Sequence, residues 1–112
     1  MIADSRNDEK RWGCVIVWEF RPKSGAEVRF EEAYGPEGVW AQLFRQVDGF
    51  VGTELSRDEK DRRRFLTMDF WVSKQAYDAF RALHQAEYEK IDVECEGLTE
   101  SEREIGRFER LK

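Results

Sequence analysis

A chain of 112 residues is long enough to bury one hydrophobic core and too short for two ordinary domains. With 38% charged and 40% apolar residues it has the composition of a folded globular protein with a heavily charged surface, which excludes a disordered chain; no apolar run approaches the length that crosses a bilayer. A formal charge of -5 weighs against a nucleic-acid partner, because proteins that neutralise phosphates display a net basic face.

Residues 1–12 read as a flexible N-terminal segment ahead of a single domain over 13–112. The stretch from Met1 to Arg11 is polar and charged and lacks the basic-then-apolar pattern of a signal peptide, which places the chain in the reducing cytoplasm. The run Cys14-Val15-Ile16-Val17-Trp18-Glu19-Phe20 is β-branched and aromatic and is closed by Pro22 and Gly25, so it is a first strand. Alternation sets Ile16, Trp18 and Phe20 on one face and Val15 and Val17 on the other, as in a strand covered on both sides. Ala26, Phe30, Ala33 and Tyr34 then recur at helical spacing, Gly35-Pro36 breaks that helix, and a short second helix carries Trp40, Leu43, Phe44 and Val47.

Phe50 to Ser56 and Phe65 to Val72 are strands of one hairpin, joined by the charged stretch Arg57 to Arg64. Arg62, Arg63 and Arg64 are the one basic cluster; flanked by Asp58, Glu59 and Asp61, they read as a solvated tip. Ser73 is a good N-cap for a helix whose Ala76, Tyr77, Phe80, Leu83, His84, Tyr88 and Ile91 keep helical spacing to about Cys95, with room for a bend near His84. Gly97 and Leu98 to Glu104 read as a loop, and Ile105 to Leu111 as a weaker closing strand.

Strand, helices, strand, strand, helix, strand is the order of an α+β, ferredoxin-like split βαβ domain with a four-stranded antiparallel sheet. Such a domain covers one sheet face with helices, yet here the first and third strands are apolar on both faces. An uncovered face of that kind is a larger apolar patch than monomers tolerate, and a twofold copy would bury it, so a homodimer is expected.

Val15 to Gly25, Phe30 to Tyr34, Gly35-Pro36-Glu37-Gly38-Val39-Trp40, Leu43-Phe44, Gly49 to Leu55 and Asp69-Phe70-Trp71 resemble the antibiotic biosynthesis monooxygenase (ABM) superfamily over about residues 14–109. A helix with His84, Tyr88 and Asp92 at four-residue spacing resembles one bacterial subgroup. The resemblance implies a dimeric αβ-barrel, and says less about chemistry, because fold does not fix function. Cofactor-free members oxidise activated phenols whose electron-rich rings react with oxygen, which asks the protein for a shaped aromatic pocket and a proton acceptor. Haem-degrading relatives present an asparagine, a tryptophan and a histidine; Trp71 and His84 stand near the last two positions, but Val17-Trp18 occupies the place of the asparagine, which argues against haem degradation.

His84, the sole histidine, is the side chain whose ordinary titration suits proton exchange near neutrality, and on a helix it would stack with Tyr88 one turn later. His84 is therefore a candidate base, Tyr88 a substrate-orienting hydroxyl and Asp92 a distant charge, against the alternative of a polar helix edge. Trp18, Tyr34, Trp40, Phe44 and Trp71 either line a cavity for a planar ligand or fill the core; Tyr34 and Trp40 also flank the Gly35-Pro36 break. Asp69, on an otherwise apolar strand, faces either that cavity, where burial would make it a base, or an arginine such as Arg107. Cys14 and Cys95 have no CxxC or histidine partner and read as reduced core thiols, and Gly35, Gly38, Gly49 and Gly52 do not form a phosphate-cradling loop. No metal and no cofactor is indicated. The sequence thus points to a cofactor-independent monooxygenase acting on a small aromatic or quinol-like compound inside each subunit, with a noncatalytic dimeric domain for ligand binding or assembly as the rival reading.

Overall fold

The two strands that are apolar on both faces take the centre of the sheet. In the computed structural model, which describes residues 11–111, β1 (Cys14–Pro22) lies between β3 (Phe65–Trp71) and β4 (Thr99–Glu109), with β2 (Phe50–Arg57) outside β3. All three pairings are antiparallel, and the order β2-β3-β1-β4 is that of the split βαβ fold expected from the sequence. Apart from Arg11 and Trp12, the lead expected to be flexible lies outside the described residues. Trp12 packs edge-on against Phe70 at 5.3 Å. Among the described residues no helix is long and apolar enough to cross a membrane.

The helical layer has four pieces, α1 (Glu27–Tyr34), α2 (Val39–Phe44), α3 (Lys74–Leu83) and α4 (Gln85–Cys95). Gly25, with φ of 88°, makes the turn into α1 at a backbone conformation that side-chain-bearing residues avoid. Gly38 lets the chain double back after Pro36: a Cβ there would lie 2.3 Å from the Ala33 carbonyl oxygen at the end of α1. Arg45 closes this turn by donating to the Pro36 carbonyl at 2.6 Å. Ser73 caps α3 as expected, its hydroxyl accepting from the Ala76 amide at 3.0 Å.

One element differs from expectation, and a second shows a bend that the sequence allowed. The last strand starts at Thr99 rather than Ile105, so six polar residues read as loop are strand. Charge is tolerated because, among the described residues, β4 is an edge that pairs only with β1, and edge strands gain from charged side chains that discourage further pairing. The helix after Ser73 breaks at His84 (φ -117°, ψ 30°), where the sequence left room for a bend.

Aromatic rings dominate the core beneath the helices. Phe30 is fully buried, stacking on Tyr34 at 4.6 Å and meeting Phe65 edge-on at 5.1 Å. At the other end Trp71 is wholly buried against Phe44, Phe50, Tyr77 and Phe80, with centroids 5.2 to 5.5 Å away. Cys14 and Cys95 are buried free thiols, each made harder to ionise by that burial.

Candidate functional site

Large rigid rings do not close the space between helices and sheet completely. A cavity of about 260 Å³ remains between the two aromatic clusters. Its floor is the inward face of the sheet, where Thr53, Thr67 and Asp69 stand among Trp18 and Phe20. Period-two alternation on β3 turns Phe65, Thr67, Asp69 and Trp71 inward and sends Leu66, Met68 and Phe70 to the outer face. On β2 a bulge between Phe50 and Gly52 shifts the register, so that Phe50 pairs with Trp71 and Thr53 with Asp69, both on the inner side.

That register places the Thr53 hydroxyl to donate to Asp69 Oδ1 at 2.6 Å. Among the described residues Asp69 has no arginine partner: Arg107 bonds instead to Glu104 and lies over the Tyr77 ring, 5.2 Å from its centre. Burial away from bulk water raises the Asp69 carboxyl to about 6, with the Thr53 hydrogen bond opposing the shift. A carboxyl that titrates near 6 and opens onto a cavity has the properties of a proton acceptor.

The roof comes from the helices. Trp40 and Phe44 descend from α2, and Tyr34 from the end of α1 just before the glycine-proline turn. Because the helix is broken at His84, Tyr88 on α4 swings over the cavity, meeting Trp40 edge-on at 4.9 Å. The Arg81 guanidinium carbon lies 3.8 Å from the Tyr88 ring centre, and its Nη1 donates to the Tyr77 hydroxyl at 3.1 Å. Arg81 Nε is buried without a hydrogen-bond partner. Burial pushes the phenols of Tyr34 and Tyr88 well above their ordinary range, so both remain protonated donors. Asp92 on α4 and Glu102 on β4 line the far end.

Trp18, Tyr34, Trp40, Phe44, Asp69 and Tyr88 are thus brought to one cavity, and two other candidates are not. Trp71 has no exposed surface, because rings from three elements enclose it, and it packs the core. His84 does not stack on Tyr88. Its ring lies on Phe80 at 5.4 Å and its Nδ1 meets Glu87 at 3.2 Å, outside the cavity lining, because the helix break turns α4 away from the axis on which the four-residue spacing was counted. Sequence reasoning missed Phe20, Thr53, Thr67, Arg81 and Glu102, and treated Asp92 as distant. Thr67 shares the parity of Asp69, and Arg81 precedes Tyr88 by two helical turns, so both left a signal; Glu102 lay in a stretch read as loop. Among the described residues no group of three or more His, Cys, Asp or Glu is placed to hold a metal ion.

Residues 14–88 match the family model described as antibiotic biosynthesis monooxygenase. No curated protein matches the chain in sequence. Among solved structures, a monooxygenase from the gene ActVA-Orf6 of Streptomyces coelicolor, in complex with the ligand Nanaomycin D, superposes with a TM-score of 0.65 at 20% identity, covering 98% of this chain and 96% of that one. SnoaB, a cofactor-independent oxygenase from Streptomyces nogalater, gives 0.64 at 19% identity over 90% of this chain and 95% of its own. PA3566 from Pseudomonas aeruginosa gives 0.61 at 16% identity over 92% and 98%. At such identities the likeness carries the fold.

Proposed function

Because the chain belongs to the antibiotic biosynthesis monooxygenase family, we propose that its cavity is the site of a cofactor-independent monooxygenase acting on a small aromatic or quinol-like compound. The observation that carries this reading is the Asp69 carboxyl, raised to about 6 and hydrogen-bonded by Thr53, at the floor of an aromatic cavity. The fold shared with the cofactor-independent oxygenase of S. nogalater and with the ligand-bound S. coelicolor monooxygenase supports it.

In this reading a planar ring lies between Trp18 and Phe20 below and Trp40 and Tyr88 above, held by stacking and burial. Asp69 accepts a proton from the activated ring, leaving an electron-rich anion. The anion passes one electron to dioxygen, and the resulting radicals join to form a carbon–oxygen bond. The hydroperoxide then breaks its O–O bond: one oxygen stays as a quinone carbonyl and the other leaves as water, with the hydroxyl proton taken from the ring at the start and the hydrogen that the oxygenated carbon carried. The first of these passes through Asp69, and the buried phenol of Tyr88 donates a hydrogen bond to the developing oxyanion.

The outer sheet face is proposed as a homodimer interface. Val15, Val17, Met68 and Phe70 lie together there, and Phe108 beside Val15 is 49% exposed. The buried free thiols fit a reducing cytoplasm.

Oxygen uptake with a panel of hydroquinones and anthrones tests the reading. Turnover is expected with at least one compound, and Asp69→Asn should lower it by about a hundredfold. Full activity in that variant would remove Asp69 as the base. Tight binding of the panel with no uptake by the unaltered protein would favour a noncatalytic ligand-binding domain, which the same cavity could serve.

A further inference from the structure

The two ends of the cavity differ in charge. Asp69 and Thr53 form one end; at the other, Asp92 and Glu102 line the same space as solvent-exposed residues, where partial desolvation, reinforced by Asp92, raises the Glu102 carboxyl above its ordinary value. Among the described residues, neither Asp92 nor Glu102 is ion-paired. Glu102 accepts only a long hydrogen bond from the Thr99 hydroxyl, at 3.4 Å. Among the described residues the one cation lining the cavity, Arg81, is engaged elsewhere, over the Tyr88 ring and on the Tyr77 hydroxyl. With Asp69 ionised, three carboxylates therefore face one guanidinium across an aromatic space.

This pattern repels anions and favours a cation, which carboxylates attract by charge and aromatic faces attract through their quadrupoles. Trp18, Tyr34 and Trp40 supply such faces in the same lining. Strand geometry gives the scale. On β1, Ile16 pairs with Asp69 and Phe20 with Glu102, on opposite sides. Four residues along and two strands across put the Asp69 and Glu102 α-carbons roughly 16 Å apart. With both side chains reaching inward, a one- or two-ring aromatic with a short arm spans the gap.

We propose that the cavity selects a hydroxylated aromatic compound bearing a cationic amine, with its hydroxyl toward Asp69 and its ammonium between Asp92 and Glu102. This rests on the cavity being the ligand site, and it adds the charge of the ligand and the direction in which it lies.

Three probes with one ring and different arms test it: 5-hydroxytryptamine, 5-hydroxyindole and 5-hydroxyindole-3-acetate, titrated calorimetrically into the unaltered protein at pH 7.5. The amine is expected to bind about tenfold or more tighter than the acetate, with the neutral compound between. Equal affinities, the reverse order, or no binding of the amine would overturn the proposal. Asp92→Asn combined with Glu102→Gln should bring the ratio toward one, and an unchanged ratio in a variant that melts as the parent does would overturn the assignment to these carboxylates. A preserved ranking without oxygen uptake on any quinol would remove the oxygenase and leave the charge preference standing. Uptake that is as fast with anionic as with cationic quinols would do the opposite.

Discussion

The inner and outer faces of the sheet are built from the same two strands and are both apolar, yet they are differently finished. On the inner face, rings close around Trp71 and around Phe30, and the gap between them is floored by threonines and one carboxyl. On the outer face the apolar patch around Val15, Val17 and Phe70 gives way toward the hairpin tip to an ionic network. There Glu19 accepts from both Arg64 and Arg103, and Arg21 bonds to Asp61 at 2.7 Å. These partners hold the carboxyls of Glu19 and Asp61 below their ordinary range. Outside, every carboxylate in the network has its cation, whereas inside Asp69 has only a hydroxyl and is therefore poised to exchange a proton.

Trp71 and Asp69, two residues apart on the same face, should separate core from site. Trp71→Ala empties a space enclosed by four rings and is expected to cost about 3–5 kcal/mol of stability in urea melts. A cost below about 1 kcal/mol would mean that this end of the inner face is loosely packed and belongs to the cavity.

Asp69 should instead reveal itself through pH. Its native pKa of about 6 lies above the ordinary value of 3.8, so between these pH values the native state holds a proton that the unfolded chain has released. Stability from this group is then complete below about pH 4 and falls as pH rises, reaching a loss of up to about 3 kcal/mol above pH 6. The stability gap between Asp69→Asn and its parent should widen in the variant's favour from pH 4 to pH 7, and the parent's oxygen uptake should rise across the same range. A gap independent of pH would show that the carboxyl is already ionised and solvated.

The order of elements along the chain, the capping of α3 by Ser73 and the turn at Gly35-Pro36 were legible in the sequence because each rests on local chemistry: alternation, a hydroxyl at an N-cap, a missing Cβ. Six of the eight candidate site residues line the cavity for a related reason, since inward parity on a strand and one face of a helix can be counted. What could not be counted was a change of axis. The break at His84 and the bulge near Gly52 each rotate everything that follows, so His84 fell outside the cavity while Thr53 moved opposite Asp69. Glu102 was lost for another reason: an edge strand made of charged residues has the composition of a loop.

On the outer face, Phe70→Glu sets a charge in the apolar patch and leaves the inner rings alone. If this face joins two copies, light scattering should show a dimer in the parent and a monomer in the variant at micromolar concentration, a loss of about 2 kcal/mol or more in association. A monomeric parent would leave the patch without its proposed partner.

The smallest effect is expected at His84. Its imidazole stacks on Phe80 and meets Glu87 at the helix break, so His84→Ala removes a surface contact and an exposed hydrogen bond worth little in water. Stability should fall by about 1 kcal/mol or less, and oxygen uptake should stay within about twofold of the parent, with its pH profile unmoved. A large loss of turnover with an unchanged melt would mean that the histidine reaches the substrate after all, through a rearrangement of the α3–α4 junction on binding. Proton transfer would then belong to the helical roof and not to the carboxyl on the sheet, and the inner face would have to be read again from His84 downward.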